Sequence, residues 1–343
     1  MVRSTSIKFS AVSANRIWRI TVLGLSAVLI GCASTPPTPP STATPFSSRQ
    51  IDLDQCSIYE RTLVAQHQGE EIRFVFIGGM LGPGKIFEPL ATRLTERLPI
   101  TAVVVDLPGM GRSRMRGMSY TWSNQRACLA AYLQSQPPFV LVVHDIAGPI
   151  ALPLLPQLRQ LRGVVVLNTL FDTGSLRSPF PLNWIRHAGP MGKPLVYTMN
   201  FPFYQMRMRQ MGIARDDQVP KTFLRSVYEE IIVDGGKGRL AEVLQGFELG
   251  AATDQAIRDG LAVNVPQIFI WGEADPALGK EIDKLPPRRN NQRLERFPEA
   301  KHFLMLDFDE EITNLIEAWL QKSQIKGSAS LITLPMPNNL QAH

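Results

Sequence analysis

Cysteine is scarce in this chain of 343 residues, with three at positions 32, 56 and 128, which excludes a small disulfide-built scaffold. The five histidines, His67, His144, His187, His302 and His343, lack the spacing of metal ligands. Neither a Gly-Lys-Ser phosphate loop nor a Gly-x-Gly-x-x-Gly run occurs. No metal or other cofactor is therefore implied. No internal repeat is visible, and no apolar run reaches the ~20 residues that span a bilayer as a helix. Charged residues make up only 19% of the chain against 44% hydrophobic ones, which excludes a disordered protein and leaves ample apolar surface for a core. At this length, one main α/β core carrying an insertion accounts for the chain.

Acidic residues are missing from positions 1–31, which hold Arg3, Lys8, Arg16 and Arg19. Removing those four from the 36 basic side chains leaves 32 against 30 acidic ones, so the formal charge falls from +6 to +2. The basicity belongs to the leader, and no nucleic-acid partner is expected. A basic stretch to Arg19, an apolar run of 11 residues from Ile20 to Ile30 and then Gly31-Cys32 read as a signal peptide over residues 1–31. Leu29-Ile30-Gly31-Cys32 resembles the lipobox of bacterial lipoproteins. That resemblance implies lipidation of the Cys32 thiol and a lasting membrane anchor. The location implied is a bacterial cell envelope; if the cell is Gram-negative, Ala33 after the cysteine resembles the signal for the periplasmic side of the outer membrane. Residues 32–48 read as a Pro/Ser/Thr-rich tether reaching up to roughly 50 Å, and residues 326–343 as a loose tail. Cys56 and Cys128 read as two buried thiols, although an oxidising compartment permits a bridge.

From Asp52 onward, compact apolar runs alternate with helical periods, the mark of a mostly parallel sheet with helices on both faces. Strands are predicted at Ile72–Ile77, Thr101–Val105, Phe139–Val143, Leu161–Leu167 and Gln267–Trp271, and an amphipathic helix at Ser123–Gln134. Core segments 49–170 and 261–325 flank a helical cap at 171–260. After Val143 the chain runs His144-Asp145-Ile146-Ala147-Gly148-Pro149. Strand, acid, small residues and helix reproduce the nucleophile elbow Gly-x-Ser-x-Gly, with Asp where Ser would stand. His144 reads as a packing residue.

Val142 to Pro149 resembles the elbow of haloalkane dehalogenases and epoxide hydrolases in the α/β-hydrolase superfamily, and the likeness extends from about Ile72 to Leu320. Asp106–Ser113 is similar to their Asp-x-x-Gly-x-Gly-x-Ser segment. Trp271-Gly272-Glu273-Ala274-Asp275-Pro276 is similar to their acid loop, and Lys301-His302-Phe303 stands where their catalytic histidine follows. The resemblance implies an α/β-hydrolase fold with Asp145 as nucleophile, His302 as general base and Asp275 orienting the base; Asp172, near Asn168, is the alternative acid. Singly, Asp145 reads as a helix cap, Asp275 as a turn residue and His302 as a surface histidine. Their joint order, nucleophile then acid then base, separates the catalytic reading from the three bland ones. The oxyanion donors implied are the amides of Met80 and Ile146. Gly78 departs from the His-Gly usual in that first loop.

An aspartate constrains the chemistry. A serine attacking a saturated carbon would leave an ether, whereas a carboxylate leaves an ester that activated water can hydrolyse. Haloalkane dehalogenases hold the halide with a Trp after the nucleophile and often an Asn or Glu in the first loop. Ile146 and Met80 occupy those positions here, and Trp184 in the cap is the candidate substitute. Epoxide opening needs an acid for the alkoxide, for which Tyr197, Tyr204 and Tyr228 are candidates. Met199, Met206, Met208 and Met211, with Phe201 and Phe203, suggest an adaptable apolar pocket for a small hydrophobic substrate, although such residues also fill ordinary cores. Epoxides stand ahead of haloalkanes. The alternatives are a β-lactone or ester hydrolase, and a catalytically silent lipoprotein that binds an apolar ligand or a partner.

Overall fold

The computed structural model describes residues 46–65, 72–176, 182–285 and 288–325. The expected signal peptide, the Cys32 lipidation site, most of the tether and the C-terminal tail lie outside these residues. Five apolar runs form the parallel centre of the sheet: β3 (Ile72–Ile77), β4 (Ile100–Val105), β6 (Phe139–Asp145), β7 (Leu161–Thr169) and β8 (Gln267–Gly272). They are rich in Val and Ile and buried almost throughout, as strands covered on both faces must be. An antiparallel ribbon of β1 (Ser47–Asp52) and β2 (Cys56–Val64), with the short β5 (Arg114–Met115), extends one edge, and β9 (Gln292–Phe297) closes the other. The order is β1-β2-β4-β3-β6-β7-β8-β9, with β5 on β2. β1 takes up the last two residues assigned to the tether.

Helices cover the sheet: α1 (Glu88–Arg97), α2 (Trp122–Gln134) and α3 (Ala147–Ala151) come from the first half of the chain. Between β7 and β8 come α4 (Leu182–His187), α5 (Lys193–Tyr197), α6 (Phe201–Arg207), α7 (Lys221–Ile232), α8 (Gly236–Gln245) and α9 (Ala251–Gly260), and α10 (Asp309–Ser323) ends the fold. α9 packs on the segment after α3, and Gly260 lies against the Leu152 carbonyl, so it belongs to the layer on the sheet and not with α4–α8. The expected cap boundary at residue 260 is therefore one helix too late.

Two ties bind the distant parts. Cys56 and Cys128 form a disulfide, with Cα atoms 6.1 Å apart, in place of the two thiols expected. The β1–β2 ribbon was not foreseen, so nothing in the sequence brought β2 to α2 across 72 residues. The second tie is ionic. Buried Arg61 on β2 donates to Asp106 at 3.0 Å and faces Glu88 at 3.4 Å and Glu230 on α7 at 3.3 Å. Asp106 also accepts from the amides of Gly84 and Arg112, both at 2.9 Å, which explains an acid opening the Asp106–Ser113 segment.

Candidate active site

Successive strands step to opposite sides of β3: β4 lies on one side and β6 on the other. The carboxyl ends of β3 and β6 therefore flank a switch point, where doubly wound sheets open a crevice. Asp145 stands there at the end of β6 with φ of 54°, a strained value for a residue with a side chain. The parallel register with β7 shifts between His144 and Asp145 as the chain leaves the sheet. Two glycines make room for this bend. A Cβ at Gly148 would collide with Thr169 Oγ1, and one at Gly79 would lie 2.5 Å from Asp145 Oδ2. Thr169 meanwhile donates its hydroxyl to the Asp145 carbonyl at 2.5 Å.

Asp145 Oδ2 accepts the Met80 amide at 2.7 Å, and the Ile146 amide also donates to the carboxylate. Asp145 Oδ1 lies 3.9 Å from His302 Nε2, and His302 Nδ1 donates to Asp275 Oδ2 at 2.8 Å. Asp275, His302 and Asp145 thus form a line, ending on a carboxylate that accepts two amides, that of Met80 on Oδ2. Burial raises the Asp145 carboxyl above its usual range against the lowering by His302 and the two amides. Burial would raise Asp275 too, but the His302 charge and hydrogen bonds from His302, Asn168 and the Ala277 amide bring it down to about 2. Burial pulls His302 down, yet Asp275 first and Asp145 next leave it raised.

Several supporting residues carried no recognisable signal. Asn168, completely buried, donates from Nδ2 to Asp275 Oδ2 at 2.8 Å and to the Gly272 carbonyl at 3.0 Å, while its Oδ1 accepts the Gly272 amide at 2.7 Å. His144 is fully buried, as a packing residue should be, but its Nε2 also donates to the His302 carbonyl at 2.9 Å. Burial, and then the neighbouring His302 charge, hold His144 well below the ordinary imidazole value and so neutral. The alternative acid Asp172 faces Lys284 at 3.4 Å instead of His302. Lys301 donates to the carbonyls of Arg209 and Gln210 in the cap.

A cavity of about 540 Å³ opens over this line, with Asp145, Ile146, Met80 and His302 on its floor and cap residues such as Met199, Met208 and Leu244 around it. Met206, Met211 and Phe203 also line it, whereas Phe201 packs against Tyr228. Of the three candidate tyrosines, only Tyr204 lines the cavity; its hydroxyl donates to the Leu81 carbonyl at 3.0 Å. Burial raises the Tyr204 hydroxyl far above its ordinary value, so it stays protonated. Tyr197 is corrected: α5 turns it outward, and it is 58% exposed away from the cavity. Tyr228 is corrected as well, because it packs behind Tyr204 with its hydroxyl on the Met199 carbonyl at 3.0 Å. Trp184 belongs to α4, and its side chain lies outside the described residues.

A family model described as the alpha/beta hydrolase family matches residues 74–315. The uncharacterized hydrolase YugF of Bacillus subtilis (strain 168) is 24% identical over 249 residues, 69% of this chain and 84% of that protein. The Cif epoxide hydrolase from Acinetobacter nosocomialis superposes with a TM-score of 0.64 at 14% identity, over 82% of this chain and 90% of that one. An esterase (EaEST) from Exiguobacterium antarcticum superposes with a TM-score of 0.60 at 16% identity, over 78% of this chain and 96% of that one. At these identities, the structural likenesses speak to the fold alone.

Proposed function

This chain belongs to the alpha/beta hydrolase family, and on that premise we propose that it hydrolyses a small hydrophobic alkyl electrophile, an epoxide ahead of a haloalkane. The reaction runs through an ester on Asp145. Asp145 Oδ1 attacks the electrophilic carbon in line, the carbon–oxygen bond of the epoxide breaks, and the alkoxide takes a proton from Tyr204. His302, held by Asp275, then removes a proton from water, and the hydroxide attacks Cγ of the ester. The charge develops on Oδ2, where the Met80 amide meets it, with the Ile146 amide also donating to the carboxylate. The diol departs.

The observation that carries this reading is the division of labour between the two oxygens of Asp145. One rests on the Met80 amide at 2.7 Å, and the other lies 3.9 Å from an imidazole, a gap that suits a water aimed at Cγ better than a direct bond. An epoxide is favoured over a halide because Ile146 and Met80 supply no polar side-chain hydrogen to a departing anion, whereas Tyr204, a residue of the cavity lining, carries a hydroxyl proton. The test is His302→Ala incubated with epoxides, haloalkanes and β-lactones, followed by intact-mass measurement and peptide mapping. A stable adduct on Asp145 is expected, heavier by the whole mass of an epoxide. No adduct from any class would overturn the reading and favour a binding protein.

A further inference from the structure

Between Asp172 and Asp216 the sequence contains no acidic residue, yet it contains Arg177, Arg186, Lys193, Arg207, Arg209 and Arg215. Acids from elsewhere neutralise three of these: Glu242 meets Lys193, Asp216 meets Arg209 and Glu311 meets Arg215. Arg207 differs. It ends α6, is half-buried and lines the cavity, and among the described residues no carboxylate pairs with it. Its polar contact is the thioether of Met211, 2.6 Å from Nη2. A guanidinium presents five N–H donors in a planar fork, and sulfur is a weak acceptor, so most of its bonding capacity is unused.

The surroundings say what would use it. Arg207 follows Tyr204 by three positions, so the two share a face of α6, and the Tyr204 hydroxyl sits on the carbonyl beside the Met80 amide. A molecule with its reactive carbon at Asp145 and its chain along the methionine wall therefore meets Arg207 about one helical turn further on. Phe203 and Met206, 39% and 44% exposed, line the same cavity next to it. An apolar rim beside an unpaired cation complements an apolar chain that ends in an anion. Bidentate pairing with a carboxylate is the geometry that best fits a guanidinium.

We propose that Arg207 is a specificity determinant that binds the carboxylate of an amphiphilic substrate, whose electrophilic carbon lies at the other end of an apolar chain. The assignment of the reactive end rests on the ester mechanism above; the binding of the carboxylate does not. The probe is decanoate against decan-1-ol, measured by calorimetry with wild-type protein, Arg207→Gln and Arg207→Lys. Wild type is expected to bind decanoate about 10-fold more tightly or better, the range of a charge-assisted hydrogen bond at a partly exposed site. Arg207→Gln removes that preference and leaves decan-1-ol unchanged, and Arg207→Lys keeps part of it. Indistinguishable affinities in wild type, including no binding of either, overturn the proposal, as does a preference that survives in Arg207→Gln. Lack of an Asp145 adduct with the preference intact would sink the ester mechanism alone. An adduct with no preference would sink this inference alone.

Discussion

Asn168 Nδ2 lies 2.8 Å from Asp275 Oδ2, joining the tip of β7 to the loop after β8 with every hydrogen-bonding atom of the amide in use. Two of its bonds go to the Gly272 backbone, so the residue fixes the loop and the carboxylate it carries together.

Asn168→Ala removes three buried hydrogen bonds and leaves Gly272 unpaired, which costs about 2–4 kcal/mol of stability. Calorimetry is expected to show that loss. In the folded fraction kcat falls by roughly tenfold or more with KM nearly unchanged, because the acid is no longer held for His302.

The pH dependence has a definite sign. On the proposed mechanism His302 must be neutral to accept a proton from water, and its raised value places the rising limb of the ester-hydrolysis rate above the ordinary imidazole value of about 6.5. Asp275→Asn removes the largest influence raising it, so the limb moves to lower pH while the maximum rate drops. For stability the two partners act in opposite directions. The raised His302 stabilises below the ordinary imidazole value, and that is lost as pH rises through its folded value. Asp275, brought down to about 2, stabilises above about pH 3.9, and this is lost as pH falls toward 2. Denaturant melts across pH check both.

Gly79→Ala places a methyl group 2.5 Å from Asp145 Oδ2 and must push the carboxylate off the Met80 amide. Rates are expected to fall by about 100-fold or more, the usual cost of losing one oxyanion donor. Near-ultraviolet circular dichroism should remain that of a folded protein.

Tyr204→Phe separates the leaving groups. Ring opening needs the proton and slows by roughly 100-fold, whereas displacement of a halide does not need it and is left within about a factor of three. Equal slowing of both substrates would mean that the tyrosine acts through its hold on Leu81.

Removal of the disulfide by Cys56→Ser with Cys128→Ser releases a loop of 72 residues in the unfolded chain. The expected loss is about 4 kcal/mol, a fall in Tm on the order of 10 °C by scanning calorimetry. Activity at 25 °C should persist, since neither sulfur reaches the cavity.

The parallel core was legible because β3, β4, β6, β7 and β8 are continuous apolar runs, four of them stopping at Gly or Asp, and burial on both faces demands that composition. The line of Asp145, Asp275 and His302 was legible for the same reason, as each follows a strand or precedes the last helix. The ribbon β1–β2 and strand β9 escaped because edge strands carry mixed side chains: every residue of β1 except Ile51 is exposed, and in β9 only Leu294 and Phe297 are apolar. The disulfide was lost with the ribbon. Asn168 was noticed only as a residue unable to serve as an acid, since nothing local reveals that a neighbouring strand will bring Asp275 to its amide. The tyrosines were indistinguishable in sequence, because which face of a cap helix looks inward depends on packing that no periodicity in a five-residue helix such as α5 records.

The cap grips both working parts beneath it. Tyr204 reaches down to Leu81, one residue from the amide that holds Asp145, while the Phe303 amide donates to Gly212 at 2.8 Å and Lys301 to the two carbonyls just before it. Raising α6 and its neighbours would loosen the anion cradle and the water-activating imidazole in one movement. On the mechanism proposed above, the site would be armed only while those contacts hold, so that admitting a new guest and standing down the chemistry would be the same event.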